Sequence, residues 1–338
     1  MCGIFGFAKK SGHQTDSQLE ILKRVFTKLT DESSIRGMDS TGFSVINPYS
    51  RKTIKTLVDS SSLVESTEWD KVLDEIDSTT TIVMGHVRLA THGVVKVTNA
   101  HPFDIGKVTL AHNGIIHNYN EVAKSLGKSV PEVDSQVLLQ CLNKKDMSKA
   151  FEDIDGDFAI TWVKEDNNSI HLARESGRPM VVAYWKKARV LLWASTKEIM
   201  LDAMTRAGII LPIKTVPQDF IFTYNTERFD SRDNKDKTPF HTMSQWNKVN
   251  DYYGYGGSYG NYSRSYYGKK YNAYNPSPAS QSLLEEPKKD MCNYCYEYVP
   301  VEELYIDAYN KSLCLDCDYI DISFKEQGGK NEREEAPF

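Results

Sequence analysis

The first two thirds of this 338-residue chain are predicted to form a layered α+β domain. Short apolar strand patterns alternate there with amphipathic helix patterns, and the connections between them are short. The composition agrees with a globular protein, since 40% of the residues are hydrophobic and 26% are charged. We expect this domain to occupy residues 2–224, because the sequence changes character after Tyr224.

The elements of this domain are predicted from their periodicity, in chain order. A short apolar strand comes first, and apolar residues at helical spacing between Leu19 and Leu29 follow it. Asn118 resembles a helix start and Gly127 a helix stop. The predicted strands are 4–7, 41–46, 81–87, 158–163, 170–173, 180–184 and 190–194. The other two predicted helices are 133–142 and 196–204.

Charge and hydropathy exclude several classes of protein. The formal net charge of −5 provides no general attraction to nucleic acid or to an anionic membrane. No apolar run approaches the roughly 18 residues of a membrane span, and the N-terminus does not resemble a signal peptide. The six cysteines do not form the pattern of a disulfide framework. We therefore expect a cytoplasmic protein without membrane contact.

Residues 225–287 are predicted to be a flexible linker, because residues 246–282 are rich in Tyr, Gly, Ser and Asn. An alternative is a stacking platform for single-stranded nucleic acid, since Arg264, Lys269 and Lys270 lie among the tyrosines. Tracts of this composition are more often linkers, so nucleic acid is not the expected partner.

Four cysteines near the C-terminus have the spacing of a zinc ribbon. Two C-x-x-C pairs are separated by eighteen residues, namely Cys292, Cys295, Cys314 and Cys317. Four thiolates close a tetrahedral Zn²⁺ site, so we expect a structural zinc ion in a module at 288–323, followed by an acidic disordered tail at 324–338. Residues 288–338 contain six Lys/Arg and twelve Asp/Glu, a net charge of −6 that favours a protein partner over nucleic acid.

Cys2 is the first candidate for catalysis. If Met1 is removed, this residue carries both a thiol nucleophile and a free α-amine. An α-amine titrates near pH 8, so a useful fraction is neutral and can act as a base. Taken alone, a cysteine is more often a small buried hydrophobic residue.

Five motifs in order, the first of which contains Cys2, change that assessment. They are Cys2-Gly3-Ile4, Arg36-Gly37-Met38-Asp39-Ser40, the segment 85–93, Asn99-Ala100-His101-Pro102 and His112-Asn113-Gly114-Ile115-Ile116. Together with Asp134 they closely resemble class II glutamine amidotransferase domains, and the most similar are the glutaminase domains of glucosamine-6-phosphate synthases. The resemblance implies an N-terminal-nucleophile hydrolase fold with four layers, α/β/β/α.

The resemblance also implies roles for individual residues around a glutamine substrate. Cys2 would be the nucleophile, and the Asn113 side chain and the Gly114 backbone N–H would stabilise the oxyanion. Without the resemblance, Asn-Gly most strongly indicates a tight hairpin turn. Arg88 would bind the α-carboxylate of glutamine, for which a planar guanidinium is suited. Asp134 would bind the α-ammonium, although its position also fits a helix N-cap.

The remaining predicted site residues shape or support the pocket. Thr91, His92 and Gly93 match the family's substrate loop, while Arg36 and Asp39 match residues that support the nucleophile's loop; otherwise these two would be a solvated surface pair. Leu89 stands where the nearest relatives have Trp, which leaves the roof of the pocket, or its coupling to a synthase domain, in question. His86, His101 and Cys141 receive no role.

The predicted function is glutamine hydrolysis to glutamate and ammonia through a Cys2 thioester. Because no acceptor domain is recognisable in the last 110 or so residues, we expect the ammonia to reach a separate synthase or modifying protein. An alternative is a glutamine-sensing or scaffolding protein that acts through its zinc-binding tail. A third hypothesis, hydrolysis of another amide, is disfavoured by the pair of Arg88 and Asp134, which suits a free amino acid.

Overall fold

A computed structural model describes most of the chain up to residue 242 and four short strands beyond it. The described residues are 2–90, 93–175, 177–228, 235–240, 242, 289–291, 298–300, 304–306 and 312–314. The chain divides into two compact units, residues 1–248 and 249–338. Among the described helices, none has both the length and the apolar character needed to cross a bilayer.

The first unit contains two antiparallel sheets. The first sheet has the strand order β11-β9-β10-β1-β4-β2-β3. Its strands are β1 (Gly3–Lys9), β2 (Ser40–Asn47), β3 (Ser50–Thr56), β4 (Ile82–Arg88), β9 (Val181–Trp185), β10 (Val190–Ala194) and β11 (Ile213–Thr215). The second sheet has the order β13-β12-β8-β7-β6-β5. Its strands are β5 (Phe103–Ile105), β6 (Val108–Ile116), β7 (Gly156–Lys164), β8 (Ser169–Arg174), β12 (Phe220–Asn225) and β13 (Lys235–Pro239).

Helices cover the outer face of each sheet. They are α1 (Asp16–Glu32), α2 (Ser60–Val64), α3 (Thr67–Asp74), α4 (Tyr119–Ser125), α5 (Ser135–Lys144) and α6 (Lys197–Ala207). The apolar faces of α1, α3 and α6 share a core with the first sheet, and those of α4 and α5 share one with the second. A third core, with Ile4, Met84 and Ala159 among its members, lies between the two sheets. The predicted four-layer arrangement is therefore present.

Helix α1 shows how sequence signals define these elements. It starts with a capping box, in which the Thr15 hydroxyl accepts from the Gln18 backbone N–H and the Gln18 side chain accepts from the Thr15 N–H. Its buried face carries Leu22, Val25 and Phe26 onto the first sheet. The apolar spacing that predicts this helix is therefore the spacing of its contacts with the core.

The first unit extends beyond the predicted boundary at 224. Strand β13 pairs with β12, and Phe240 packs 4.7 Å from Phe151 between ring centroids. The sequence of β13, Lys-Asp-Lys-Thr-Pro, lacks the apolar alternation of a strand, because it is an edge strand. Strands β3, β5, β6, β11 and β12 and helices α2 and α3 are also absent from the prediction.

The second unit is described only in short strands. The pairs are β14 (Lys289–Met291) with β15 (Tyr298–Pro300) and β16 (Leu304–Ile306) with β17 (Ser312–Cys314). Residues 243–288, which include the Tyr- and Gly-rich segment, lie outside the described residues, as do Cys292, Cys295 and Cys317. The predictions of a linker, a zinc ion and a disordered tail therefore remain predictions.

Candidate active site

Cys2 lies at the beginning of β1, where two contacts hold it. Its Sγ donates to the carbonyl of Leu89 at 3.4 Å, and Arg36 Nε donates to the Cys2 carbonyl at 2.8 Å. Burial raises the pKa of the Cys2 thiol, while the Leu89 contact and the charge of Arg88 lower it. The resting side chain is therefore a thiol, and it needs a base to become a nucleophile.

The segment that contains Arg36 and Asp39 packs directly against the end of β4. The backbone N–H of Asp39 donates to the Arg88 carbonyl at 2.9 Å, and Asp39 Oδ2 accepts from the Ala90 N–H at 2.7 Å. A Cβ on Gly37 would lie 2.4 Å from the carbonyl carbon of Arg88, so only glycine permits this approach. Arg36 thus contacts the backbone of Cys2, and Asp39 contacts the backbone on both sides of Leu89, whose carbonyl accepts from the Cys2 thiol.

Arg88 is the last residue of β4 and is buried. Its Nη1 donates to the Val94 carbonyl at 3.4 Å, across the loop that follows β4. Thr91 and His92, the predicted substrate-loop residues, lie outside the described residues. Gly93 has a positive φ of 74°, and a Cβ there would lie 2.9 Å from the Glu132 carbonyl. The loop therefore needs glycine where it contacts the segment that leads to Asp134.

A polar contact also joins this loop to Glu132. Asn99 Nδ2 donates both to the Val94 carbonyl at 3.0 Å and to Glu132 Oε2 at 2.8 Å, and Lys96 Nζ donates to Glu132 Oε1 at 2.9 Å. The pKa of Glu132 is lowered by its hydrogen bonds from Asn99 and Lys96. This Lys96–Glu132–Asn99 contact, two residues before Asp134, fixes the loop after Arg88 against the start of α5.

Asn113 and Gly114 lie inside strand β6 rather than in a turn. Asn113 is in register with Ala159 and Gly114 with Phe158, both on β7. A Cβ on Gly114 would lie 2.0 Å from the Asp157 carbonyl oxygen, so glycine is needed for strand pairing here. The expectation that Asn-Gly marks a hairpin is therefore wrong, because cross-strand pairing overrides the local turn preference.

The backbone N–H of Gly114 points to an open edge of the second sheet. Strand β5 pairs only with residues 108–110 of β6, so it does not cover the later half of that strand. The Ile116 N–H points away from β7 and donates to Asp134 Oδ2 at 2.7 Å. Since N–H groups two residues apart in a strand point to the same side, the Gly114 N–H faces the same edge.

The Asn113 side chain points into the space between the sheets. Side chains alternate along a strand, and its neighbour Ala111 belongs to the core between the sheets. Asn113 is 1% exposed, and its Nδ2 has no hydrogen-bond partner among the described residues. A buried donor without a partner is costly, so this amide is available to a group that binds between the sheets.

Asp134 precedes α5, but its carboxylate does not cap the helix. It has helical backbone angles, and no hydrogen bond from its side chain to the helix N-terminus is formed. The carboxylate instead accepts from Ile116 on β6 and is 4% exposed. The N-cap alternative is therefore wrong for the side chain, which is held beside the open edge of β6.

Histidines near the site are buried and neutral. The rings of His86 and His101 stack with centroids 4.1 Å apart, and a ring nitrogen of His86 lies 2.9 Å from the His112 carbonyl. Burial lowers the pKa of His86 to about 3 and the pKa of His101 well below its usual range. These rings cannot hold a proton near neutral pH, so they do not serve as the base. Burial also raises the pKa of Cys141 to about 11, which makes that thiol inert.

Sequence analysis missed three residues that hold the site together. The Ser195 hydroxyl accepts from the Ile4 N–H at 2.9 Å and so fixes the start of β1 from β10. His112 and Ser135 share a hydrogen bond of 2.7 Å between the imidazole Nδ1 and the hydroxyl. His112 lies within a motif that carries the resemblance, whereas nothing in the sequence signals that Ser135 would meet His112.

Comparison with known proteins finds similarity to glutamine-dependent enzymes. Residues 86–202 match the model of a glutamine amidotransferase domain. The chain is 30% identical over 197 residues to a glutamine--fructose-6-phosphate aminotransferase (isomerizing) from Staphylococcus epidermidis and 32% identical over 197 residues to the enzyme of that name from Oceanobacillus iheyensis. In both cases the match covers 54% of this chain and 30% of the relative, so the chain spans about a third of the length of these relatives.

Solved structures show the same fold at low identity. The glutamine phosphoribosylpyrophosphate amidotransferase from B. subtilis has 16% identity and a TM-score of 0.53, and it aligns over 71% of this chain and 49% of its own. A structure described as the allosteric regulatory enzyme of purine biosynthesis has 17% identity and a TM-score of 0.54, with the same coverage. The first unit of this chain is therefore similar to glutamine amidotransferases, in sequence over residues 86–202 and in its fold.

Proposed function

We propose that this domain hydrolyses L-glutamine to glutamate and ammonia at Cys2. The observation that carries the proposal is geometric: the buried Asn113 Nδ2 has no hydrogen-bond partner among the described residues, and the Gly114 N–H faces the open edge of β6 where Asp134 is held. The buried Arg88 and Asp134 also act electrostatically on the Cys2 thiol. A buried cation and a buried carboxylate beside one thiol complement the two charged ends of a free amino acid. The relatives named above, whose names include glutamine, support this substrate.

The first half of the reaction forms a thioester. The thiol proton passes to the α-amine of Cys2, and Sγ attacks the side-chain amide carbon of glutamine. The resulting oxyanion accepts hydrogen bonds from Asn113 Nδ2 and the Gly114 N–H. The intermediate collapses with loss of ammonia, which takes the proton from the α-ammonium. A γ-glutamyl thioester on Cys2 remains.

The second half of the reaction releases glutamate. Water attacks the thioester carbonyl while the α-amine accepts its proton, and the same two donors stabilise the second oxyanion. The carbon–sulfur bond then breaks, and the thiolate recovers the proton. Throughout both steps Arg88 holds the α-carboxylate and Asp134 the α-ammonium, so the amide carbon stays beside Sγ.

The base in this mechanism requires Cys2 to be the first residue of the active protein. A peptide nitrogen has no basic lone pair, whereas a free α-amine titrates near pH 8. The raised pKa of the thiol calls for such a base, and among the described residues His86 and His101 are weak bases because burial lowers their pKa. We therefore include removal of Met1 in the proposal.

The ammonia is proposed to reach an acceptor on a separate cytoplasmic protein, recruited through the second unit. The zinc ligands fit this unit: Cys292 and Cys295 fall between the paired strands β14 and β15, and Cys314 ends β17 with Cys317 three residues later. Two cysteine pairs beside two strand pairs are the donor set of a structural zinc ion, which would stabilise a unit too small for a large core.

Glutaminase assays with Cys2 variants test the catalytic proposal. Cys2→Ala is expected to abolish glutamate and ammonia release, and Cys2→Ser to lose most of it, because a hydroxyl ionises far less than a thiol. A glutamine analogue with a diazoketone in place of the amide is expected to modify Cys2 of the wild type covalently, with the added mass of one analogue-derived group per chain. Full activity with Met1 retained would contradict the mechanism. A wild type that binds glutamine without hydrolysing it, even with cell extract present, would favour the sensing alternative.

A further inference from the structure

A hydroxyl–imidazole contact joins the two halves of the proposed glutamine site. Ser135, the first residue of α5, lies with its Oγ 2.7 Å from Nδ1 of His112 on β6. Both side chains are almost fully buried. Burial lowers the pKa of His112, so the ring is neutral and its hydrogen bond with the hydroxyl is a fixed contact near neutral pH.

A second contact runs parallel to the first. The Ile116 N–H donates to Asp134 Oδ2 at 2.7 Å, so two successive residues at the start of α5 bind two residues of β6. His112 and Ile116 lie on either side of Gly114, two residues before and two after it. The start of α5 is thus fastened to β6 across the position of the proposed oxyanion donor.

Because side chains alternate along β6, the two residues of the dipeptide His112-Asn113 have different surroundings. Along β6, Leu110 and Ile116 face the helices and Ala111 faces the other sheet, so His112 points towards α5 and Asn113 points between the sheets. Each dipeptide therefore has one residue proposed to bind glutamine and one that binds the other dipeptide. In His112-Asn113 the second residue binds substrate, and in Asp134-Ser135 the first one does.

We infer that His112 and Ser135 are positioning residues that set the distance between the oxyanion donors and the carboxylate that binds the α-ammonium. This inference rests on the proposed function. Glutamine has a fixed number of bonds between its amide carbon and its amino group, so the two anchors must keep a matching separation. Ile116 holds one oxygen of Asp134, and the Ser135–His112 contact holds the backbone that carries this carboxylate.

Binding of two product-like ligands isolates this task. L-glutamate carries the α-ammonium and glutarate lacks it, so the dissociation constant of glutarate divided by that of L-glutamate measures how well Asp134 is placed. Calorimetry on Ser135→Ala is expected to show this ratio reduced about fivefold from the wild type, mainly through weaker glutamate binding. Ser135→Thr keeps the hydroxyl and is expected to restore the ratio. In hydrolysis, Ser135→Ala should raise KM more than it lowers kcat.

A second buried histidine provides the matched control. His171 Nδ1 lies 2.8 Å from the Thr223 hydroxyl, and this pair joins β8 to β12. Thr223→Val removes that hydroxyl and is expected to leave the ratio unchanged, even if it lowers the thermal midpoint. His112→Gln should reproduce Ser135→Ala, and it carries the test if Ser135→Ala does not fold.

The outcomes distinguish failure of the positioning role from failure of the proposed glutamine hydrolysis. A wild type that hydrolyses glutamine, with a ratio unchanged in both Ser135→Ala and His112→Gln, overturns the positioning role alone. The same fall in the ratio for Thr223→Val also overturns it, because the effect would then be general loss of stability. A wild type that neither hydrolyses glutamine nor binds glutamate overturns the proposed function and this inference together.

Discussion

Replacement of Asn113 tests whether its unpartnered amide is the oxyanion donor. In the resting protein Nδ2 is buried without a hydrogen-bond partner among the described residues, so Asn113→Ala deletes no hydrogen bond from that nitrogen. In the reaction the same nitrogen would face a developing negative charge. Loss of one preorganised donor of this kind costs about 3–4 kcal/mol in the transition state, which lowers kcat roughly 10²–10³-fold.

A matched asparagine far from the site should behave in the opposite way. Asn167 Nδ2 donates to the Asn47 carbonyl at 2.8 Å, and its Oδ1 accepts from Arg51 Nε at 2.6 Å. Asn167→Ala leaves these partly buried partners unsatisfied, so it should lower the free energy of unfolding by about 1–3 kcal/mol. Glutamine hydrolysis per folded molecule should be unchanged.

The assay pairs steady-state glutamine hydrolysis with urea unfolding for the two variants. We expect Asn113→Ala to lose activity with little change of KM, and Asn167→Ala to lose stability alone. The more conservative Asn113→Asp keeps the shape but replaces the donor with a carboxylate, so it should be at least as inactive as Asn113→Ala. A kcat for Asn113→Ala within about threefold of the wild type would refute the assignment, since a preorganised donor is worth far more.

Three further predictions concern recognition, acid stability and the second unit. Arg88→Lys replaces a planar fork by a point charge and should lower kcat/KM for glutamine at least about tenfold. Unchanged kinetics in both Arg88→Lys and Asp134→Asn would exclude a free amino acid as the substrate. Burial depresses the pKa of His86 to about 3 and that of His171 to about 4. The free energy of unfolding should therefore be highest above pH 6.5 and should fall below that pH by roughly 1 kcal/mol per pH unit for each of these histidines. Urea midpoints that do not fall between pH 7.5 and 5.5 would contradict this. Metal analysis should find one zinc ion per chain, and removal of residues 246–338 should spare hydrolysis but abolish ammonia transfer; loss of hydrolysis would mean that the second unit completes the site.

The sequence predicts the parts of the site that lie in contiguous motifs. Arg88 and Asn113 are recognisable because each stands in a run of residues that resembles the family. The contact of Ser135 with His112 is not predictable in this way, because 23 residues separate them and either residue alone has an ordinary structural explanation. Contacts of this kind depend on how α5 packs on β6, which no local pattern specifies.

Two of the strands that the sequence analysis does not predict lack apolar alternation. Strand β3, with the sequence Ser-Arg-Lys-Thr-Ile-Lys-Thr, lies at the edge of the first sheet, and β13 lies at the edge of the second. Edge strands carry polar and charged residues that oppose aggregation, so their sequences resemble loops. The Asn-Gly pair in β6 fails for a different reason: the turn preference is local, but pairing with β7 requires a residue without a side chain at 114.

The two sheets contribute complementary halves of the proposed reaction. The first sheet carries Cys2 directly before β1 and Arg88 on β4, and the second places Asn113 on β6, whose Ile116 binds Asp134. A bound glutamine would therefore contact both sheets, with its amide carbon attacked from one and its oxyanion stabilised from the other. The packing between the sheets, to which Ile4 of the first sheet and Ala159 of the second contribute, would then set the distance from the proposed nucleophile to the proposed oxyanion donors. Under this proposal the core between the sheets is part of the catalytic geometry as well as a source of stability.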